Sequence, residues 1–176
     1  MSTNPIIENI LKRKSTRSFD SSKKISEEDL RIIAQCGNAA PSGMNRQEWH
    51  FTVVQNPEIM SELCSEIGRI LGRPGYNFYG ANAIIIAAGK KTSNFTVQDC
   101  SCALENMFLA ATGLGIDSVW INQLKDCCGD ASFCALLNKI GLSDEYAIVG
   151  SCALGYPSAG VSSEPTFKKD AVNFVL

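Results

Sequence analysis

Six consecutive apolar residues, Ala83-Ile84-Ile85-Ile86-Ala87-Ala88, constrain this chain more than any other feature. A strand with one face in water alternates apolar and polar side chains, so an unbroken run of this length suits a strand buried on both faces. The rest of the sequence supplies cover for it. Thr96 with Asp99 three residues on reads as a cap for a long helical pattern reaching about Leu114 that is apolar around much of its circumference, which predicts a central, deeply buried helix.

Shorter elements alternate along the chain with brief connections. Asn4-Pro5 reads as a cap with Pro at the first helical position, and Ile6, Ile7, Ile10 and Leu11 form an apolar stripe behind it. Ser26-Glu27-Glu28-Asp29 has the form of a capping box before Leu30, Ile33 and Ala34, with Gly37 as the expected stop. Trp49 to Gln55 reads as a strand, and Asn56-Pro57 opens a helix with apolar residues at positions 59, 60, 63, 64, 67, 70 and 71. Gly72 to Gly80 reads as a loop, Val119 to Ile121 and Tyr146 to Leu154 as strands, and Asp130 to Ile140 as a helix stopped at Gly141. The final stretch is apolar at Ala171, Val172, Phe174, Val175 and Leu176, more than a free tail should show. No linker, repeat or low-complexity segment divides the 176 residues, so one domain over 1–176 is expected. Pattern alone, strands alternating with helices, would predict a parallel doubly wound sheet.

A net charge of −2 argues against nucleic acid as a partner. The N-terminus has no secretory signal pattern, and no apolar run approaches a membrane span, so a cytoplasmic protein with no membrane partner is expected. In that setting the eight cysteines read as reduced thiols, mostly buried. Cys100 with Cys102 and Cys127 with Cys128 lack the spacing of zinc or dithiol motifs, and His50 is the one imidazole, so neither a metal site nor a Cys/His or Ser/His/Asp arrangement is expected. Gly113 to Ser118 lacks the third glycine of a dinucleotide fingerprint and ends a helix instead of starting one. Gly89-Lys90-Lys91-Thr92 has Ile84 where a P-loop needs its first glycine. With no evident protein nucleophile or metal, demanding chemistry would fall to a bound organic cofactor.

Two short segments match that need. Arg13-Lys14-Ser15-Thr16-Arg17 packs three cations and two hydroxyls into five residues, which suits a dianionic phosphate. Ala40 to Trp49, Ala-Pro-Ser-Gly-Met-Asn-Arg-Gln-Glu-Trp, is a tight polar turn leading into a strand, and Gly43 permits close approach of a flat ring.

In this order and spacing the two segments resemble the nitroreductase family of FMN-dependent oxidoreductases, through Arg13, Ser15, Arg17 and Phe19, then Ala40, Pro41, Ser42, Asn45, Gln47 and Trp49. Leu104-Glu105-Asn106-Met107, Gly113-Leu114-Gly115, Trp120-Ile121 and Leu154-Gly155-Tyr156-Pro157 extend the likeness over almost the whole chain. The resemblance implies an α+β, three-layer α/β/α fold with a mostly antiparallel central sheet flanked by helices. It also implies a homodimer in which a C-terminal segment of one subunit adds to the other's sheet.

The same resemblance implies FMN as cofactor, with Arg13, Lys14 and Ser15 at the phosphate and ribityl end and Lys168 or Lys169 completing the phosphate shell. Arg17 would lie near the pyrimidine edge of the ring. Asn122 and Gln123 would meet the central N5 and O4 region, with Gln47 as a weaker candidate. Pro41, Ser42, Gly43 and Asn45 would reach the flavin from the other subunit. Gly43 stands where many relatives have a second serine, and the Leu71 to Ala81 connection is short for the helical excursion that covers the flavin in longer members. The implied activity is ping-pong hydride transfer from NAD(P)H through flavin N5 to an electron-poor acceptor such as a nitroaromatic or quinone. No side chain acts as acid or base, and hence no catalytic residue is named. Two alternatives stand beside it: a family offshoot that dehalogenates or modifies flavin, and a non-enzymatic flavin or thiol redox sensor.

Overall fold

The computed structural model describes residues 4–161, 164–168 and 171–175. Its chain order is α1 (Pro5–Lys12), α2 (Glu27–Asn38), β1 (Trp49–Val54), α3 (Pro57–Ile70), β2 (Ala83–Lys90), α4 (Thr96–Gly113), β3 (Asp117–Ile121), α5 (Gln123–Asp126), α6 (Ala131–Lys139) and β4 (Tyr146–Gly155), with single 3-10 turns at Gly43–Asn45 and Phe78–Gly80. The strands form one sheet in the order β1-β2-β4-β3, every neighbouring pair antiparallel. This overturns the parallel sheet that alternation alone predicts and agrees with the family expectation. The simple reading fails because helices here connect strands that are not parallel neighbours.

β2 and β4 hold the middle of the sheet, and β2 is buried on both faces as its apolar run requires. Strand alternation divides its side chains between two cores. Ile84, Ile86 and Ala88 join Val54, Leu63, Ile67, Phe133 and Leu137 beneath α3 and α6. Ala83, Ile85 and Ala87 join Leu30, Ile33, Leu104 and Met107 beneath α2 and α4. The result is a sheet between two helical layers, with α4 on one face as its most buried helix.

Local chemistry explains most boundaries. The Asn4 side chain accepts from the Ile6 N–H at 2.9 Å, Asn56 from Ile59 at 3.0 Å, Ser26 from Asp29 at 3.0 Å, and Asp130 from both Ser132 and Phe133. Two expectations are corrected. Gly37 does not stop α2, which runs on to Asn38; it is buried where Met107 of α4 presses so closely that a Cβ would lie 2.2 Å from the Met107 Cε. The glycine is needed for packing, not for a turn. Thr96 and Asp99 do not form a cap at α4 either: the Thr96 hydroxyl donates to the Lys90 carbonyl at 2.6 Å, and Asp99 turns elsewhere. α5 is one turn that no apolar periodicity could announce.

Several apolar groups have no cover among the described residues. Ile6, Ile7, Ile10 and Leu11 on α1 are exposed, as are Phe167, Val172, Phe174 and Val175 in the C-terminal segment. α1 is held to α4 through its other side, where the Asn9 amide donates to the Leu109 carbonyl at 2.9 Å. Among the described residues no helix is long and apolar enough to cross a membrane.

Candidate functional site

Residues 15 to 20 run along the outer edge of the sheet. Ser15 makes a parallel bridge to Ser118 of β3, the Thr16 N–H donates to the Ser118 carbonyl at 3.0 Å, and the Thr16 hydroxyl donates to Asp117 Oδ2 at 2.5 Å. Phe19 then bridges Pro157 and is buried in the core beneath α3. Thr16 and Phe19 therefore anchor the segment, and the basic residues between and before them are placed by it.

The cations occupy two settings. Arg13 lies 3.9 Å from Glu105 on α4, with both side chains partly exposed. Burial holds the Glu105 carboxyl above the ordinary range, and the Arg13 charge pulls it back down. Lys14 instead lines an open cavity of about 570 Å³ with Lys12, Thr112, Asp117, Glu164 and Phe167, so the C-terminal segment comes to the basic cluster of its own chain. Lys168 follows directly and is exposed. Lys169 lies outside the described residues. Arg17 is exposed, and neither it nor Lys14 makes an ion pair among the described residues.

β3 carries a flat surface away from this edge. Trp120, 37% exposed, packs on Phe108 with ring centroids 5.9 Å apart and lies against Gly150, where a Cβ would come within 2.7 Å of the indole. Its Nε1 donates to Asn122 Oδ1 at 3.4 Å, and the Asn122 N–H donates to Gln123 Oε1 at 3.2 Å. Asn122 and Gln123 thus sit just beyond the strand beside which Arg13 to Arg17 run.

The second segment forms a strained turn. Met44, Asn45 and Gln47 all have φ between 51° and 56°, a left-handed conformation that non-glycine residues seldom adopt. Side chains support it locally: the Gln47 N–H donates to Ser42 Oγ at 3.1 Å and the Gln47 amide donates to Asn45 Oδ1 at 2.8 Å. Pro41, Met44, Asn45 and Gln47 are exposed, with Ser42 and Gly43 half-buried. Gly43 presses on the Phe95 ring, where a Cβ would lie 2.3 Å from Cγ, and its N–H donates to Asp99 Oδ1 at 2.9 Å.

The structure does not bring the two segments together within one chain. Arg13 meets α4 at residue 105 and Gly43 meets it at 99, which in an α-helix are separated by about 9 Å of rise and about 120° of rotation. They meet different flanks of one helix, where each is a candidate half-site. Sequence reasoning missed Glu105 as the neighbour of Arg13 and Asp99 as the partner of Gly43. For Asp99 the capping reading concealed it; for Glu105 the signal was a carboxylate in the middle of a helix apolar around much of its circumference.

Comparison with known proteins matches this arrangement to one family. The profile described as "Nitroreductase family" matches residues 10–156. A nitroreductase from Bacteroides fragilis solved with bound FMN superposes with a TM-score of 0.91 at 36% identity, covering 99% of this chain and all of that one. A nitroreductase with bound FMN from Desulfitobacterium hafniense gives 0.87 at 29% identity, over 99% of this chain and 100% of that one. A protein of Archaeoglobus fulgidus whose name includes "NAD(P)H nitroreductase" is 34% identical over 154 residues, 84% of this chain and 83% of its own. With the profile spanning both half-sites and the fold shared from end to end, this chain belongs to the nitroreductase family.

Proposed function

We propose that this chain is an FMN-dependent oxidoreductase that takes hydride from NAD(P)H and delivers it to an electron-poor acceptor such as a nitroaromatic or quinone. The observation that carries the reading is the strip formed by Arg13 to Arg17 against β3, in which Lys14 and Arg17 make no ion pair among the described residues, on the strand that bears the exposed Trp120 and leads into the Asn122-Gln123 pair. That donor set fits FMN: charge and hydroxyls for a phosphate at one end, amides for a ring edge at the other. The FMN-bound relatives at 36% and 29% identity support the same assignment.

When bound, FMN supplies the hydride chemistry; the chain supplies binding, orientation and electrostatics. Arg13, Ser15 and Lys168 hold the phosphate end, with Lys14 and Lys169 adding positive charge nearby. Arg17 places a cation near the pyrimidine edge, where it favours negative charge on the ring. Asn122 and Gln123 offer donors to the ring's centre. Pro41, Ser42, Gly43 and Asn45, with Gln47 behind them, complete the site from a second subunit. This last assignment rests on the 120° separation of the half-sites and on the uncovered apolar surfaces of α1 and the C-terminal segment, which a homodimer would bury. The whole chain, 1–176, works as one FMN-binding domain.

The test is reconstitution followed by anaerobic reduction. Purified protein incubated with FMN and desalted retains flavin absorbance, and NADH or NADPH bleaches it. Protein that stays colourless ends the proposal, and yellow protein that neither nucleotide bleaches ends the oxidoreductase part of it.

A further inference from the structure

We propose that Asp99 is the positioning residue of the candidate flavin site: its buried carboxylate locks the Ser42 to Gln47 turn in the conformation that presents it to the cofactor. The inference rests on the FMN reading above, but the contact itself does not. Asp99 is 7% exposed in the first turn of α4, and Oδ1 accepts the Gly43 N–H at 2.9 Å. A carboxylate here is unusual on local grounds. At a helix start it would ordinarily serve the helix's own amides, yet α4 has no side-chain cap and this group is directed at a loop 56 residues away in sequence.

The turn needs an outside anchor. Three of its residues have positive φ without being glycine, a conformation that persists only where the surroundings over-determine it. The hydrogen bonds from Gln47 to Ser42 and to Asn45 are internal to the turn and exposed, so they shape it without fixing it in space. Gly43 ties it to the protein body from the start of α4, through the Phe95 ring packed where its Cβ would be and the Asp99 carboxylate on its N–H. The ring leaves no room for a side chain and sets the distance of approach. The side-chain oxygen, an acceptor in a buried place, sets the orientation of the peptide. Because α4 also carries Glu105 beside Arg13, the same rigid helix registers both half-sites.

Asp99→Ala removes the acceptor, whereas Asp99→Asn keeps one oxygen acceptor in a side chain of the same shape, with an NH2 group in place of the second carboxylate oxygen. FMN affinity is read by fluorescence titration well below the melting temperature of every variant, together with hydrogen exchange of the peptide spanning residues 43 to 47 in the apo-protein. Positioning by hydrogen bond predicts that Asp99→Ala weakens FMN binding about tenfold and speeds exchange at 43 to 47, while Asp99→Asn restores both to near wild type. Unchanged affinity with unchanged exchange in Asp99→Ala overturns the proposal, as does an equal fall in melting temperature for both variants without selective loss at 43 to 47. If the wild-type protein binds no FMN, the functional reading fails instead, and the exchange measurement still decides whether Asp99 holds the turn.

Discussion

Arg13→Ala separates the binding role proposed for the basic cluster from any structural one, because the proposed site gives it a large effect on ligand affinity and its exposed ion pair a small one on folding. Among the described residues Arg13 pairs with Glu105 at 3.9 Å, with side chains 32% and 53% exposed. A pair this long and this wet contributes less than about 1 kcal/mol to stability. A hydrogen bond to a charged group contributes about 1.5–3 kcal/mol, and Arg13 can give a phosphate one or two. Loss of one such bond therefore raises the FMN dissociation constant by about ten- to a hundredfold, and loss of two by more. Glu105 is expected to increase the effect, since without Arg13 its carboxylate loses its ion-pair partner beside the proposed phosphate site. Fluorescence titration of FMN against wild type, Arg13→Ala and the double variant Arg13→Ala/Glu105→Gln measures both parts. The double variant is expected to recover some of the lost affinity, and the salt dependence of binding is expected to flatten in the single variant. An affinity within twofold of wild type would remove Arg13 from the phosphate shell and refute the reasoning.

Other expectations follow from the fold. Gly37→Ala forces a methyl into the fully buried Met107 and destabilises the protein by about 1–3 kcal/mol in denaturant titration; the double variant with Met107→Ala costs less than the two singles combined, and a Gly37→Ala protein as stable as wild type contradicts the packing argument. Hydrogen bonds from Ser132 and Arg69 hold the Asp130 carboxyl below its ordinary range, and those from Arg69 and Ser132 do the same for Glu66. A carboxyl lowered on folding stabilises above its unfolded value and loses that contribution as pH falls, so wild type loses stability on acidification more steeply than Arg69→Gln, measured by denaturation between neutral and acid pH. Burial pushes the Cys100 thiol up to about 12 and the Cys152 thiol well above normal. Native alkylation followed by mass spectrometry is expected to mark exposed Cys102 and Cys128 first, with Cys100 and Cys152 modified only after unfolding.

Where the sequence was informative, it was so for local or periodic reasons. The apolar run of β2 announced its two-sided burial, and Asn4, Ser26, Asn56 and Asp130 each mark a helix start with a side-chain acceptor. Strand direction was not legible this way, since alternation of elements says nothing about which strands become neighbours. Gly37 misled because a glycine near a helix end reads as a stop, while its actual reason lies on another helix at Met107. Asp99 misled in the same manner: three residues after a threonine it has the spacing of a cap, yet its partner Gly43 is remote in sequence. The half-sites themselves were visible as motifs. Their separation on different flanks of α4 depends on helix geometry and could be seen only in the fold.

The central claim, that each flavin site takes Arg13 from one protomer and the Ser42 to Gln47 turn from the other, is tested most directly by subunit complementation. Arg13→Ala and Gly43→Asp proteins, each unable to retain FMN alone, are unfolded together and refolded as a mixture. If the site spans two subunits, each mixed dimer regains one intact site, so about a quarter of all sites recover FMN absorbance at random assortment. If both half-sites belonged to the same protomer, no mixed dimer would hold an intact site, and the mixture would stay as colourless as its parents.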